Sequence, residues 1–138
     1  MSKEIKTFIC KNCETVNSFK KNTENKFCSN RCQRDYEFSK NFYSWMRGEE
    51  VFKFHVSQRR ALIRRDGEKC VTCGIYEWNG RPLTFEVEHR DGNSDNNHQS
   101  NLELICPNCH SQTDTYKGKN KGNGRHARRV RYAQGKSY

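Results

Sequence analysis

The chain is short of the material from which a large core is built. Only 32% of its 138 residues are apolar against 30% charged, and it has two prolines and two methionines. No apolar run approaches the length of a membrane span, and the opening MSKEIKTFICKNC lacks an apolar stretch of signal-peptide length. These absences argue against a membrane protein and predict a chain in the cytoplasm, where thiols stay reduced. Acidic residues stop at Asp114. With 26 Lys and Arg against 16 Asp and Glu, the net charge is +10, which predicts a polyanionic partner. Nucleic acid is favoured over an acidic membrane surface, because binding phosphates releases their counterions.

Cysteine is abundant, and its spacing is informative. All eight cysteines fall in close pairs: Cys10/Cys13, Cys28/Cys32, Cys70/Cys73 and Cys106/Cys109. A CxxC turn offers two soft ligands from one bend of backbone, so two such pairs complete a tetrahedral zinc site. Pairing by proximity predicts two structural zinc ions. One is held by Cys10, Cys13, Cys28 and Cys32, the other by Cys70, Cys73, Cys106 and Cys109. Disulfides are the less favoured alternative, since nothing in the sequence points to an oxidising compartment. Two metal staples also suit a chain with so little core.

The expected fold class is α+β, made of small zinc-stabilised modules. Residues 1–38 read as a treble-clef-like finger. It has a knuckle, a short hairpin suggested by turn residues at Asn22 to Asn25, and a helix after FCSNRC; that last motif is similar to FCS-type fingers. Phe38, Phe42, Tyr43 and Trp45 recur at near-helical spacing and read as a packing face. Residues 39–56 read as a helical or linker segment. From Ser57, a plausible N-cap, a helix is expected to run to Asp66-Gly67, leaving Arg59, Arg60, Arg64 and Arg65 available to DNA. Asn79-Gly80 predicts a hairpin turn, and LTFEVEH a strand with Leu83, Phe85 and Val87 on one face and Thr84, Glu86 and Glu88 on the other. The loop RDGNSDNNHQS, the strand NLELI and a helix opened by CPNCH follow. Residues 118–138 form a basic tail in which ARRVRYAQ can make a short helix.

Strand, loop, strand and helix, with a histidine on each side and two CxxC pairs flanking them, resemble the HNH endonuclease family in its four-cysteine zinc form. VEHRDGN and NLELICPNCH carry the likeness, and the wording around CPNCHSQTDTY is similar to small bacteriophage HNH proteins. The resemblance covers residues 57–117 and implies a ββα-metal nuclease module that hydrolyses DNA phosphodiesters. It implies His89 as general base, Glu88 and His110 as ligands of one catalytic divalent cation, and Asn101 as the strut that aims the base. Asp114, one helical turn after His110, is a candidate third ligand. Mg or Mn suits such a shell, with Ni, Co and Zn admitted. The family often has Asp or His where this chain has Glu88, a longer carboxylate.

Expected DNA contacts are Arg90, Lys117, Lys119, Lys121, Arg125, Arg128, Arg129 and Arg131. His55, His98 and His126 fall outside the motif, with His126 a candidate phosphate contact. The partners implied are DNA and, compatibly, a second copy of the chain or phage packaging or replication proteins; the setting would be the bacterial host cytoplasm. The rival readings are a non-catalytic zinc protein that binds DNA and a nuclease acting on RNA.

Overall fold

The computed structural model describes residues 5–19, 25–120, 122 and 125–136, without the side chains of 125–127. It is a mixed helix and strand protein that divides after Arg47 into two compact units. No helix among the described residues is long and apolar enough to cross a membrane.

In the first unit, β1 (Thr7–Ile9) and β2 (Val16–Ser18) pair antiparallel around the Cys10–Cys13 turn. The hairpin expected at Asn22 to Asn25 lies almost wholly outside the described residues. The knuckle itself reverses the chain, through bonds from Cys10 N to Thr15 O and from Glu14 N to Cys10 O. Of the turn residues invoked at 22–25, only Asn25 lies among the described residues. Helix α1 (Asn30–Met46) starts at Ser29, whose hydroxyl accepts from Cys32 N at 3.1 Å. It runs without a break through residue 38, so residues 39–46 continue the helix that opens at Asn30. Phe42 and Trp45 are buried on it, while Tyr43 turns outward at 55% exposure.

The second unit has its core between α2 (His55–Asp66) and the hairpin of β5 (Glu86–His89) and β6 (Leu102–Ile105). Ala61, Leu62, Phe85, Leu102, Leu104 and Ile105 fill it. Helix α2 begins two residues before Ser57, with Phe54 as N-cap. Buried Gln58 bonds back to Phe52 O at 2.7 Å and fixes the chain where it enters the first turn. It ends at Gly67, as the Asp-Gly pair predicts. The short hairpin β3 (Glu77–Trp78) and β4 (Arg81–Pro82) turns at Asn79 and Gly80, both at positive φ, the conformation a tight two-residue turn requires.

Helix α3 (Pro107–Gln112) opens with Cys106 as N-cap and Pro107 in its first turn. It is short because the Thr113 hydroxyl and amide both bond to His110 O, turning the backbone out of the helix. A 3-10 turn (Lys117–Lys119) and helix α4 (Arg125–Ala133) follow, so ARRVRYAQ does contribute to a helix.

Candidate active site and metal centres

Each unit gathers its four cysteines so that all the sulfurs lie within 4.8 Å of one another. Neighbouring sulfurs stand 3.6 Å apart for Cys13–Cys28, 3.4 Å for Cys28–Cys32 and 3.8 Å for Cys73–Cys106. A tetrahedron with zinc–sulfur bonds of ~2.3 Å has edges of about 3.8 Å, so both clusters fit that ion. Backbone amides add to the fit, with Cys28 N on Cys10 Sγ and Cys109 N on Cys106 Sγ, each at 3.4 Å. Charge crowding is visible in the thiols. The Cys13 amide leads the bonds that draw Cys10 down to about 6, while the Cys32 and Cys13 sulfurs push Cys28 up to about 12. In the second cluster burial raises Cys70, but the amides of Cys106, Cys73 and Thr72 outweigh it and bring it to about 6. The Cys73 sulfur drives Cys109 upward. Four adjacent thiolates need a cation between them.

The second cluster builds the frame of the site beside it. Val71 N bonds to Leu104 O at 2.9 Å, seating the 70–73 knuckle on β6, and Cys106 and Cys109 lie on the helix that carries His110. On the hairpin Glu88 stands opposite Glu103 and His89 opposite Leu102. Like charges across a ladder repel. Here each finds a partner: Arg90 Nε meets Glu103 at 2.7 Å, and His110 Nε2 meets Glu88 Oε2 at 2.7 Å. Glu88 is buried, and its other oxygen accepts from the Thr115 hydroxyl.

His110 is held from both sides, because its Nδ1 bonds to Glu86. The sequence puts Glu86 on the strand face shared with Thr84 and Glu88 but assigns it no role at the site. Carboxylate oxygens stand against both ring nitrogens, and a carboxylate on Nδ1 is the common arrangement behind a histidine whose Nε2 ligates a metal. One buried carboxylate facing one such imidazole is a donor set suited to a hard or borderline divalent cation. The Tyr116 ring stacks edge-on against His110 at 5.0 Å and closes its far side. The period-two alternation of EVEH already put Glu86 and Glu88 on one face. That a histidine 22 residues beyond Glu88 would lie between them was not visible in it.

Asp114 lies past the end of α3, exposed, so the helical-spacing argument for it does not hold. It shares with Glu88, Arg90 and Thr115 a small depression of about 450 Å³. Among the described residues the only groups of three or more potential metal ligands that converge closely are the two cysteine clusters.

Asn101 is buried and spans the loop from residue 90 to 101. Its Nδ2 donates to Asp91 Oδ1 at 2.9 Å and to Asn96 O at 2.8 Å, and its Oδ1 accepts from Asp91 N at 3.1 Å. Asp91, which the sequence did not single out, is the second hub, accepting from Asn93 N and Asn96 Nδ2 as well. Burial alone would raise its carboxyl. The bonds from Asn96, Asn93 and Asn101 outweigh that and hold it below the ordinary carboxylate value. Buried His89, at the loop's start, bonds through Nε2 to Asn97 Oδ1 at 2.9 Å. Glu88, His89, Asn97, His110 and Thr115 line one cleft of about 1070 Å³, rimmed by Lys53, His55, Lys117 and Arg128. His55 reaches this wall without any motif of its own.

Several expected DNA contacts are engaged within the chain. Arg65 does not stand free for DNA. Its guanidinium bonds to Gln99 O at 2.5 Å, Leu102 O at 3.0 Å and Asp66, which pins the loop's end to α2. Arg128 pairs with Asp95 in the loop, and Arg131 donates to Gly122 O at 2.7 Å. Lys117 stands over the Tyr116 ring, and Lys119 reaches Ser111 O and Thr113 O at 3.3 and 3.4 Å. Arg129 is exposed on α4. Lys121 and the side chains of Arg125 and His126 lie outside the described residues.

A histidine and a carboxylate at the end of one strand of a hairpin, and a second histidine beside a cysteine pair of the second cluster, give this chain its resemblance to HNH endonucleases. Over 54 residues it is 52% identical to the H-N-H endonuclease F-TflIV of Escherichia phage T5. That stretch is 39% of this chain and 24% of the phage protein, so the match spans about a quarter of that relative. No protein-family profile matches the chain, and no solved structure matches it.

Proposed function

We propose that the second unit is a metal-dependent HNH endonuclease that hydrolyses DNA phosphodiester bonds, built as a ββα-metal module on a structural zinc site. The first unit would be a treble-clef-like zinc finger. One observation carries the reading: β5 and α3 place Glu88, His89 and His110 on the wall of a single cleft. The identity to a protein named as an H-N-H endonuclease adds to it. A non-catalytic binding module has no use for a buried carboxylate facing an imidazole beside a buried, oriented histidine.

In this mechanism His89 takes the proton of an attacking water, a task suited to an imidazole near neutral pH. Glu88 and His110 would hold the catalytic cation, Mg or Mn first. When bound, the cation supplies Lewis-acid stabilisation of the charge that builds at phosphorus and on the leaving oxygen. Glu86 keeps His110 in the tautomer that offers Nε2, and Asn101 keeps the 90–101 loop folded behind the base. Arg90 and the basic rim attract and position the phosphate backbone, without reading sequence.

Zinc-loaded full-length protein should nick supercoiled plasmid when Mg, Mn or Ni is added. His89→Ala should keep its fold and its DNA affinity and lose nicking by about 100-fold or more, the usual worth of a general base. An equally active His89→Ala variant means that the base is wrongly assigned. A wild type inert on DNA with every metal, yet active on RNA, moves the substrate to RNA; inert on both, it sinks the nuclease reading.

A further inference from the structure

Behind His89 lies a hydrogen-bonded chain that belongs neither to the cysteine clusters nor to the residues carrying the HNH resemblance. It starts at a backbone carbonyl, Phe52 O, 2.7 Å from the side-chain amide of Gln58. Gln58 is 2% exposed and sits in the first turns of α2. The same amide reaches Asn97 at 2.9 Å, and Asn97 reaches His89 Nε2 at 2.9 Å.

Hydrogens can be assigned along this chain by elimination. A carbonyl oxygen only accepts, so the Gln58 atom facing Phe52 O must be nitrogen. That nitrogen donates, so the Asn97 atom it meets must be oxygen. The same Asn97 oxygen faces His89 Nε2, which must therefore carry a proton. In the neutral ring this leaves Nδ1 as the basic atom. We propose that Gln58 and Asn97 are positioning residues that lock His89 in the Nε2–H tautomer and so dedicate Nδ1 to proton abstraction.

The catalytic part of this inference rests on the nuclease reading; the tautomer itself does not. Gln58 is donated by a helix that precedes the hairpin, and Asn97 by the loop that Asn101 braces. The folding of α2 on the hairpin is thus coupled to the protonation pattern of one ring. Among the described residues buried Gln58 Oε1 has no hydrogen-bond partner, a cost the chain accepts while its nitrogen is held between two acceptors.

Long-range proton–nitrogen correlation spectra of zinc-loaded, 15N-histidine-labelled full-length protein read the tautomer directly. At neutral pH, His89 should show a protonated Nε2 and an unprotonated Nδ1. An Nδ1–H ring in the wild type overturns the proposal, whether or not the protein cuts DNA. Asn97→Leu removes the acceptor while nearly keeping the shape. It should give tautomer-averaged His89 signals and lower kcat for nicking at least tenfold, within the roughly 10⁴-fold ceiling of a general base, with KM unchanged. Gln58→Leu should give the same averaging and serves if the first variant does not fold. Spectra unchanged in a folded variant also overturn the proposal. A correct tautomer in a wild type that cuts nothing would leave the lock standing and remove the nuclease reading alone.

Discussion

Asp91 shows how much of this site depends on side chains that do no chemistry. Its two oxygens collect bonds from Asn93, Asn96 and Asn101, and its carboxyl is held below its ordinary value. A carboxyl whose folded value lies below the unfolded one stabilises the fold fully above the unfolded value, ~3.9. That stabilisation disappears as pH falls through the folded value. Asp91→Asn keeps an oxygen for Asn101 but turns an amide against Asn96. The variant should therefore melt below the wild type at neutral pH, and the gap in Tm should close as pH falls below about 4. Thermal melts of the two proteins across that range would check it, and a gap independent of pH would remove Asp91 from the role. The residue was hard to foresee because Asp, Asn and Gly in a loop read simply as turn formers. Asn101 was recognised from its place in NLELI, yet its partners come from residues five and ten positions back.

Among the described glycines, Gly92 in the turn after β5 has the least room for a side chain. Gly92 has φ +70°, and a Cβ there would stand 2.8 Å from both Asn120 Oδ1 and Thr115 Cγ2. Asn120 also donates to Gly92 O at 2.6 Å, and Thr115 bonds Glu88. Gly92→Ala combines a left-handed backbone penalty of about 1–2 kcal/mol with displacement of the residue that holds a proposed metal ligand. It should lower unfolding stability by at least that amount in denaturant titrations and weaken nicking as well. Gly67→Ala is the matching comparison. It too has positive φ, but no atom lies within 4 Å of its Cβ position, so only stability should fall. The elements most visible in the sequence were those set by local chemistry. Asn79-Gly80 made its turn, Asp66-Gly67 ended α2, and Cys106-Pro107 opened α3. The start of α2 and the end of α3 were misjudged because Gln58 and Thr113 made backbone bonds that residue propensities do not encode.

For the whole molecule, zinc in the two cysteine clusters would carry stability that 32% apolar residues do not supply alone. The purified chain should contain about two zinc ions. Gel filtration into metal-free buffer should remove a weakly held catalytic cation and leave the helical signal intact. A mercurial reagent that captures the thiolates should release both zinc ions and collapse that signal. Zinc release with unchanged circular dichroism would show the clusters to be dispensable for folding. If the polyanionic partner is the proposed DNA, the net charge of +10 implies an affinity that falls steeply with salt.

The sequence by itself determined which atoms the protein has for binding metal, because CxxC spacing presents ligands locally, whatever the rest of the fold does. It also determined that Glu86 and Glu88 share a face and that Asn79-Gly80 reverses the chain. The tertiary structure alone decided which charged groups are spent internally. Arg65 and Arg128 brace the loop, Glu86 holds His110, and Gln58 reaches His89 through Asn97. Those pairings join residues up to 39 positions apart, the widest being Gln58 to Asn97. A side chain's hydrogen-bond partner depends on where packing brings it, and packing is a property of the folded chain rather than of any short stretch of it.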